Sequence, residues 1–493
     1  VRLHQLLMET AREHPGAIAV HGPEGPVTYR KLDRMADRYA AALRDRGVRP
    51  GDRVLIWSHK SVAAVAVMQA VLRVGGVYVP VTGSNPLARL SLVVENAGPA
   101  LVVADEEAVK QAYDADDAEW TKRLVSFGGL WDGAADSAPP EPHRSAPDEP
   151  AYILYTSGST GAPKGVCISH RNALAFVEWA VAELAIGPAD RLSNHAPFNF
   201  DLSVFDLYAA FMTGASLHLV PQELAYAPVQ LVEFLRERCI TVWYSVPSAL
   251  SLMLRDGGLL DAAPEPLRAC LFAGEPFALQ HVKELRRAWP GVRLLNWYGP
   301  TETNVCTSYE VTDADLERDT PLPVGRACSG DTVTLRHTDG SAGDEGEVVV
   351  TGPTVMLGYW GREPQQGPYH TGDLARRDED GDLHYVGRRD QMVKIRGHRV
   401  ELGEVETALM TLDSVFEAAV VVTGSGLAAR LHAVVIPAEG ARPSLLAVKR
   451  RCAERLPTYM IVDRLSVRDD LPRTQNGKLD RRRLAALAEA GEL

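Results

Sequence analysis

The sequence has little cysteine, no excess of basic residues and no long unbroken apolar run, and each shortage excludes a class of protein. Cys167, Cys239, Cys270, Cys306, Cys328 and Cys452 are scattered, with no C-x-x-C pair and no histidine cluster at zinc spacing. That pattern argues against a disulfide framework or a structural metal and fits a reducing, cytoplasmic setting. Lys and Arg total 52 against 64 Asp and Glu, a net charge of -12, which argues against a nucleic-acid partner. The most apolar run, "SVAAVAVMQAVLRVGGVYVPV" from Ser61, is interrupted by Gln69, Arg73 and the Gly75-Gly76 pair. It therefore reads as a buried helix followed by a strand, and no membrane association is expected. No signal-peptide pattern is read, and because the first residue is Val1 a few residues are expected to be missing from the true start. With 46% hydrophobic and 24% charged residues, the composition is that of a globular protein rather than a disordered or fibrous one.

At 493 residues the chain is long for one core, and a scale of roughly 100–200 residues per domain predicts two to four units. From Val1 to about Arg144, helical patterns such as "YRKLDRMADRYAAALRDRG" alternate with β-branched runs such as "DRVLIWS" and "ALVVAD", the signature of a doubly wound parallel sheet. The segment from Asp132 to Pro150, rich in proline and acid, reads as an exposed connection. A second α/β stretch covers roughly Tyr152 to Val305, with strands in "RLSNHAPF", "SLHLVP", "TVWYSVP", "ACLFAG" and "RLLNWYG". Glycine-punctuated β segments from Pro321 to Tyr385 predict a small barrel-like sheet. The tail to Leu493 reads as a compact α+β unit, with helices in "ELGEVETALMTL" and "SLLAVKRRCAERL" around the hairpin "FEAAVVVTGSGLAARLHAVVIP". No internal repeat is present.

The stretch "LYTSGSTGAPKGVCISH", Leu154 to His170, places a glycine loop and a lysine directly after a predicted strand. It is not a Walker loop: that motif needs Gly-Lys followed by Ser or Thr, whereas Lys164 follows Pro163 and precedes Gly165. Its residue types still suit phosphate, since Thr156, Ser157, Ser159 and Thr160 offer hydroxyls while Gly158 and Gly161 let backbone amides curl around an anion. A polar surface turn is the plainer alternative.

"TSGSTGAPKG" resembles the signature of the adenylate-forming enzymes, the family of nonribosomal peptide synthetase adenylation domains, acyl-CoA ligases and luciferases. The likeness runs along the chain in order, through "VTYRKL", "VLRVGGVYVPV", "FNFDLSVFD", "NWYGPTET", "GEVVVTGPTVMLGYW", "YHTGDLA", "GRRDQMVKIRGHRVE", "LPTYMI" and "LPRTQNGKLDR". It implies a large N-terminal domain, 1–388, of two doubly wound α/β subdomains plus a small distorted β-barrel, and a small mobile α+β domain, 389–493. It implies ATP and Mg2+ as cofactors. The ATP site it implies comprises Thr156, Ser157, Gly158, Ser159, Thr160, Lys164, Gly274, Asn296, Tyr298, Gly299, Asp373 and Arg388. Within that set Tyr298 is expected to flank the adenine, or else simply to pack in the core, and Asp373 to accept the ribose hydroxyls, as a carboxylate can. Lys478 matches the catalytic lysine that bridges carboxylate and α-phosphate. Thr301 and Glu302 complete the catalytic set, Glu302 as the magnesium carboxylate, a ligand type that suits a hard cation. Asp390 matches the hinge, and Met392 departs from the usual glutamine beside it.

Asp201 matches the aspartate that pairs with a substrate ammonium in amino-acid-activating members, and this separates the chain from the alternative of an acyl- or aryl-CoA ligase. The other pocket positions implied are Leu202, Phe205, Tyr244, Leu271, Ala273, Trp297, Val305 and Cys306, none ionised at neutral pH, so a charged substrate side chain is disfavoured. The set resembles that of free-standing proline-activating enzymes of pyrrole pathways, except that Trp297 stands where an aliphatic residue is expected. The reading is ATP-dependent formation of an aminoacyl adenylate, best with L-proline and alternatively with alanine or another small residue. Transfer to the phosphopantetheine thiol of a holo acyl or peptidyl carrier protein follows. The chain is expected to be either free-standing or excised from a larger synthetase.

Overall fold

The computed structural model describes residues 1–114, 119–134, 137–157, 162–263, 265–388, 392–438, 440–472 and 479–493. The chain divides into two compact units, the first made of Val1–Gly83, Asn96–Leu154 and Gly165–Arg389, the second of Ser84–Glu95, Tyr155–Lys164 and Asp390–Leu493.

Two large sheets build the first unit. One is nine-stranded, in the order Arg326–Ala327, Thr307–Glu310, Arg293–Tyr298, Ala269–Ala273, Val242–Ser245, Arg191–Asn194, Ser216–Leu219, Ile18–Gly22 and Gly25–Thr28. Its central strands are parallel and both edges are antiparallel. The other is seven-stranded, in the order Gly358–Tyr359, Lys164–Ser169, Pro150–Thr156, Val77–Thr82, Arg53–Ser58, Leu101–Ala104 and Leu124–Ser126. The apolar run at Ser61 forms a helix, Val62–Arg73, and the strand Val77–Thr82. Ser61 starts that helix by accepting a hydrogen bond from the Ala64 N–H. Arg73, which breaks the run in sequence, is buried at the helix end because Asp33 and Asp37 pair with it at 2.6 and 2.5 Å.

The nine-stranded sheet is covered on both faces, and the period of two along its strands sorts the side chains. Trp243, Cys270, Phe272 and Leu294 pack toward the helices Pro228–Glu237, Pro247–Asp256 and Leu279–Ala288. Val242, Tyr244, Leu271, Ala273, Leu295 and Trp297 face the other way, into the main core with the helices His170–Leu184 and Leu202–Thr213. The glycine-punctuated region forms a five-stranded antiparallel sheet, in the order Ala342–Gly343, Thr332–Arg336, Glu345–Thr351, Tyr369–Arg377 and Leu383–Arg388.

In the second unit the antiparallel pair Val415–Thr423 and Arg430–Pro437, joined by the parallel strand Arg464–Val467, packs with the helices Leu402–Leu409 and Leu445–Arg455. A further helix, Arg481–Ala490, is tied down by Arg481, which reaches Glu406 at 2.7 Å. Arg89, on the segment Ser84–Glu95, forms a buried ion pair with Glu404. No helix among the described residues is long and apolar enough to cross a membrane.

Candidate functional site

The strand Arg293–Tyr298 ends in a turn that concentrates the chemistry of the first unit. A Cβ on Gly299 would lie 1.6 Å from the Asn304 carbonyl oxygen, so only glycine lets the turn close. Asn304 holds the return with a left-handed backbone, φ 52°, while its side-chain oxygen accepts from the Val305 N–H at 2.9 Å. Thr301 and Glu302 sit inside this turn. Glu302 is fully buried, its Oε1 accepts from the Tyr359 hydroxyl at 2.6 Å, and its carbonyl accepts from the Met356 N–H at 2.9 Å. Tyr359 in turn lies 3.4 Å from the Tyr369 hydroxyl. Sequence reasoning passed over Tyr359, which sits unmarked in a glycine-rich run.

One residue before the turn, the Tyr298 hydroxyl donates to Asp373 Oδ2 at 2.6 Å, and Arg388 pairs with Asp373 Oδ1 at 2.8 Å. Asp373 is 2% exposed, so its charge is held between a phenol and a guanidinium. Burial, and then the Asp373 charge, push the Tyr298 phenol well above its usual range, which keeps it a donor. Its ring packs with Cys306, Val324 and Val333, the core-packing alternative for this residue. The Asn296 amide donates to the Pro323 carbonyl at 2.8 Å, and Gly274 has φ 97°, a conformation that favours glycine.

On the main-core face of the sheet the structure brings together Leu202, Phe205, Tyr244, Leu271, Ala273, Trp297 and Val305 in one cluster. Phe205, Tyr244 and Trp297 meet edge to face, with ring centroids 5.2 to 5.9 Å apart. Cys306, implied for the same pocket, is fully buried and belongs to the cluster of Tyr298. Asp201 stands at the head of the helix Leu202–Thr213, 6% exposed, and makes no side-chain capping bond to it. The buried phenols of Tyr152 and Tyr244 are close enough that the Asp201 charge, after burial itself, helps raise both well above their usual range. The hydroxyls of Tyr152 and Tyr244 and the indole nitrogen of Trp297 are buried without a hydrogen-bond partner among the described residues. Such atoms are costly unless a ligand meets them. Tyr152 was missed because its strand "AYILYT" reads as plain core.

The glycine loop is only partly described. Thr156 Oγ1 is buried without a partner among the described residues, Lys164 begins the strand Lys164–Ser169, and the Ser157 hydroxyl donates to the Arg399 carbonyl at 2.8 Å within the second unit. Gly158, Ser159 and Thr160 lie outside the described residues, as do the hinge candidate Asp390 and the catalytic candidate Lys478. No cluster of metal-ligating side chains occurs among the described residues. Burial pushes the thiols of Cys167, Cys270 and Cys328 up to about 12, so none of these is poised as a nucleophile.

The family model described as AMP-binding enzyme matches residues 7–360, and the model of the AMP-binding enzyme C-terminal domain matches residues 404–478. An L-proline--[L-prolyl-carrier protein] ligase from Pseudomonas fluorescens is 46% identical over 99% of this chain and 99% of its own. A protein of the same name from Streptomyces coelicolor is 39% identical over 97% of this chain and 95% of its own. The solved structure of the amide bond synthetase McbA from Marinactinospora thermotolerans superposes with a TM-score of 0.88 at 26% identity, covering 99% of both chains. The chain belongs to the AMP-binding enzyme family, the adenylate-forming enzymes, along its full length.

Proposed function

We propose that this protein is an L-proline:carrier-protein ligase, which joins proline to AMP with release of pyrophosphate and then passes the prolyl group to a phosphopantetheine thiol. The observation that carries the reading is the buried carboxylate of Asp201 at the head of a helix whose Leu202 and Phe205 share an apolar cluster with Tyr244, Leu271, Ala273 and Trp297. In this reading the substrate ammonium pairs with the Asp201 carboxylate while an apolar ring lies against the aromatic walls. Similarity to proline ligases over nearly the whole chain favours proline over alanine.

Residues 1–388 hold the nucleotide and the amino acid in this reading, and residues 389–493 carry Lys478 and turn about Asp390. Asp373, gripped by Tyr298 and Arg388, receives the ribose hydroxyls. Glu302 would hold Mg2+, with Thr301 beside it; a buried carboxylate oriented by Tyr359 suits a hard cation that keeps phosphate oxygens as its other ligands. Bound there, the ion supplies charge neutralisation. Lys478 screens the repulsion between the attacking carboxylate and the α-phosphate. The acceptor thiol in this reading is that of a carrier protein, the partner named for the two proline ligases that match nearly the whole chain.

An ATP–pyrophosphate exchange assay across a panel of amino, aryl and fatty acids tests the proposal. Proline should drive exchange best. Exchange driven only by an aryl or fatty acid, or by an amino acid with a charged side chain, would overturn it.

A further inference from the structure

Lys60 is a fully enclosed ammonium that nothing in the proposed chemistry uses. It follows the strand Arg53–Ser58 of the seven-stranded sheet and is 7% exposed. Its Nζ donates to two backbone carbonyls of the other sheet's loop, Asn194 and His195, both at 2.7 Å. Asn194 ends the strand Arg191–Asn194, and its amide nitrogen donates to Asp206 Oδ2 at 3.2 Å. Asp206, 1% exposed, lies on the helix Leu202–Thr213 that begins directly after Asp201. His195 is fixed from its far side as well, through Nε2 to the Ala225 carbonyl at 2.9 Å and by stacking on Trp243.

We infer that Lys60 is a positioning residue for amino-acid recognition: with Asp206 as counter-charge, it ties the two sheets together at the point where residues 195–201 leave for the substrate pocket, and so sets the place of Asp201. Two carbonyls at the carboxyl end of a strand are a weak anchor without a cation, and a cation in that dry space is costly without a carboxylate nearby. Each group in the set therefore requires the others. Burial brings the Lys60 ammonium down to about 7 despite the opposing pull of Asp206, and burial pushes the Asp206 carboxyl well up against the pull of the Asn194 amide and of Lys60, so each charge stands only with the other. Burial and then Lys60 lower His195 to about 4, which leaves the imidazole neutral. The contacts run to the loop and helix that carry Asp201, Leu202 and Phe205, and none of them touches Tyr298, Asp373 or Arg388. Loss of Lys60 should accordingly weaken amino-acid use and spare the nucleotide.

The inference rests on the reading of Asp201 as the partner of the substrate ammonium. Its test is kept separate by first finding, with wild-type protein, whichever amino acid drives exchange best and using that one throughout. Failure of proline in the wild type then refutes the proposed substrate alone. The variants are Lys60→Met and the double variant Lys60→Met/Asp206→Asn, which removes both charges at little change of volume. In both, KM for the amino acid should rise by about 10- to 100-fold, the scale of a small misplacement of a recognition group, while KM for ATP stays within about twofold. The melting temperature should fall in Lys60→Met and recover in the double variant, since no lone buried charge remains. A purely structural role predicts that amino-acid KM recovers along with the melting temperature, and that result would overturn the inference. So would an unchanged amino-acid KM, or a parallel rise in both KM values, in whichever variant folds.

Discussion

In the proposed pocket Trp297 stands where an aliphatic residue is expected, and Trp297→Leu asks what the indole does there. The side chain is 1% exposed and lies between two pairs of rings. Phe205 and Tyr244 approach it at 5.4 and 5.2 Å on the pocket side, and Phe176 and Trp179 at 5.9 and 5.3 Å from the helix His170–Leu184. Truncation of a buried Trp to Ala costs about 3–5 kcal/mol; leucine refills part of the space and loses no hydrogen bond, since the indole nitrogen has none among the described residues, so about 2–3 kcal/mol is expected. In a unit this large that lowers the melting temperature by roughly 2–4 °C without unfolding it. The space released should shift specificity toward bulkier apolar amino acids, with the leucine-to-proline ratio of kcat/KM rising about 10- to 200-fold, the range one or a few methylenes can command in an apolar pocket. Pyrophosphate exchange with proline, leucine and phenylalanine, run beside a thermal melt, gives both readings. A variant that melts as expected yet keeps the same order of substrates would show that the indole only fills the core, and the specificity role would fall.

Asp201→Asn should raise KM for the amino acid by about 30-fold or more, the cost of an ammonium left without its counter-charge, with nucleotide affinity measured by calorimetry unchanged; parallel losses would contradict the role. Lys478→Ala should slow adenylation by about 10²–10³-fold while transfer from pre-made prolyl adenylate to the carrier persists, and equal loss in both half-reactions would refute an adenylation-only lysine. Tyr359→Phe removes the 2.6 Å bond to Glu302 and should slow exchange about 10-fold, well short of Glu302→Gln; an equal loss in the two would mean that Tyr359 does more than orient the carboxylate. Asp190 accepts from Arg268 at 2.8 Å, Thr241 at 2.7 Å and the Gly187 N–H at 2.9 Å, and these outweigh burial to hold its carboxyl below the usual value. Its contribution is present above the ordinary carboxylate range and is lost as pH falls through the lowered value. Asp190→Asn should therefore cost about 1–2 kcal/mol in urea unfolding at pH 7 and nearly nothing in strong acid, and a penalty independent of pH would exclude the ionic account.

Local pattern carried the parts of the fold that local physics decides. The broken apolar run at Ser61 predicts a helix and a strand, and both are present because the interruptions fall where a buried Arg73 finds Asp33 and Asp37 and where the chain turns at Gly75. The strands read in "TVWYSVP" and "ACLFAG" are likewise present, as Val242–Ser245 and Ala269–Ala273, whereas the choice of Tyr244, Leu271 and Ala273 along these unbroken apolar runs comes from the resemblance. What escaped is pairing across long separations. Nothing in "SHKS" says that Lys60 spans to Asn194, and nothing in "LGYW" says that Tyr359 meets Glu302, because each contact exists only once the sheets and turns have closed.

In the proposed reading Trp297 unites the two kinds of information, since the rings that pack it into the core would also hold it as a wall of the pocket. Phe176 and Trp179 pack against the indole from the helix His170–Leu184, and Phe205 and Tyr244 meet it as well, so the proposed wall is backed by the core. A pocket can reject a larger guest only if its wall is held this way, because a wall free to relax would admit the guest at small cost. Rigidity in the core is thus the condition for selectivity at the site, and it follows that Trp179→Ala, which touches no pocket residue but Trp297 among the ring contacts, should loosen substrate choice in the same direction as Trp297→Leu and by less. The same exchange panel decides it: unchanged selectivity in a folded Trp179→Ala would mean that the wall stands without its backing.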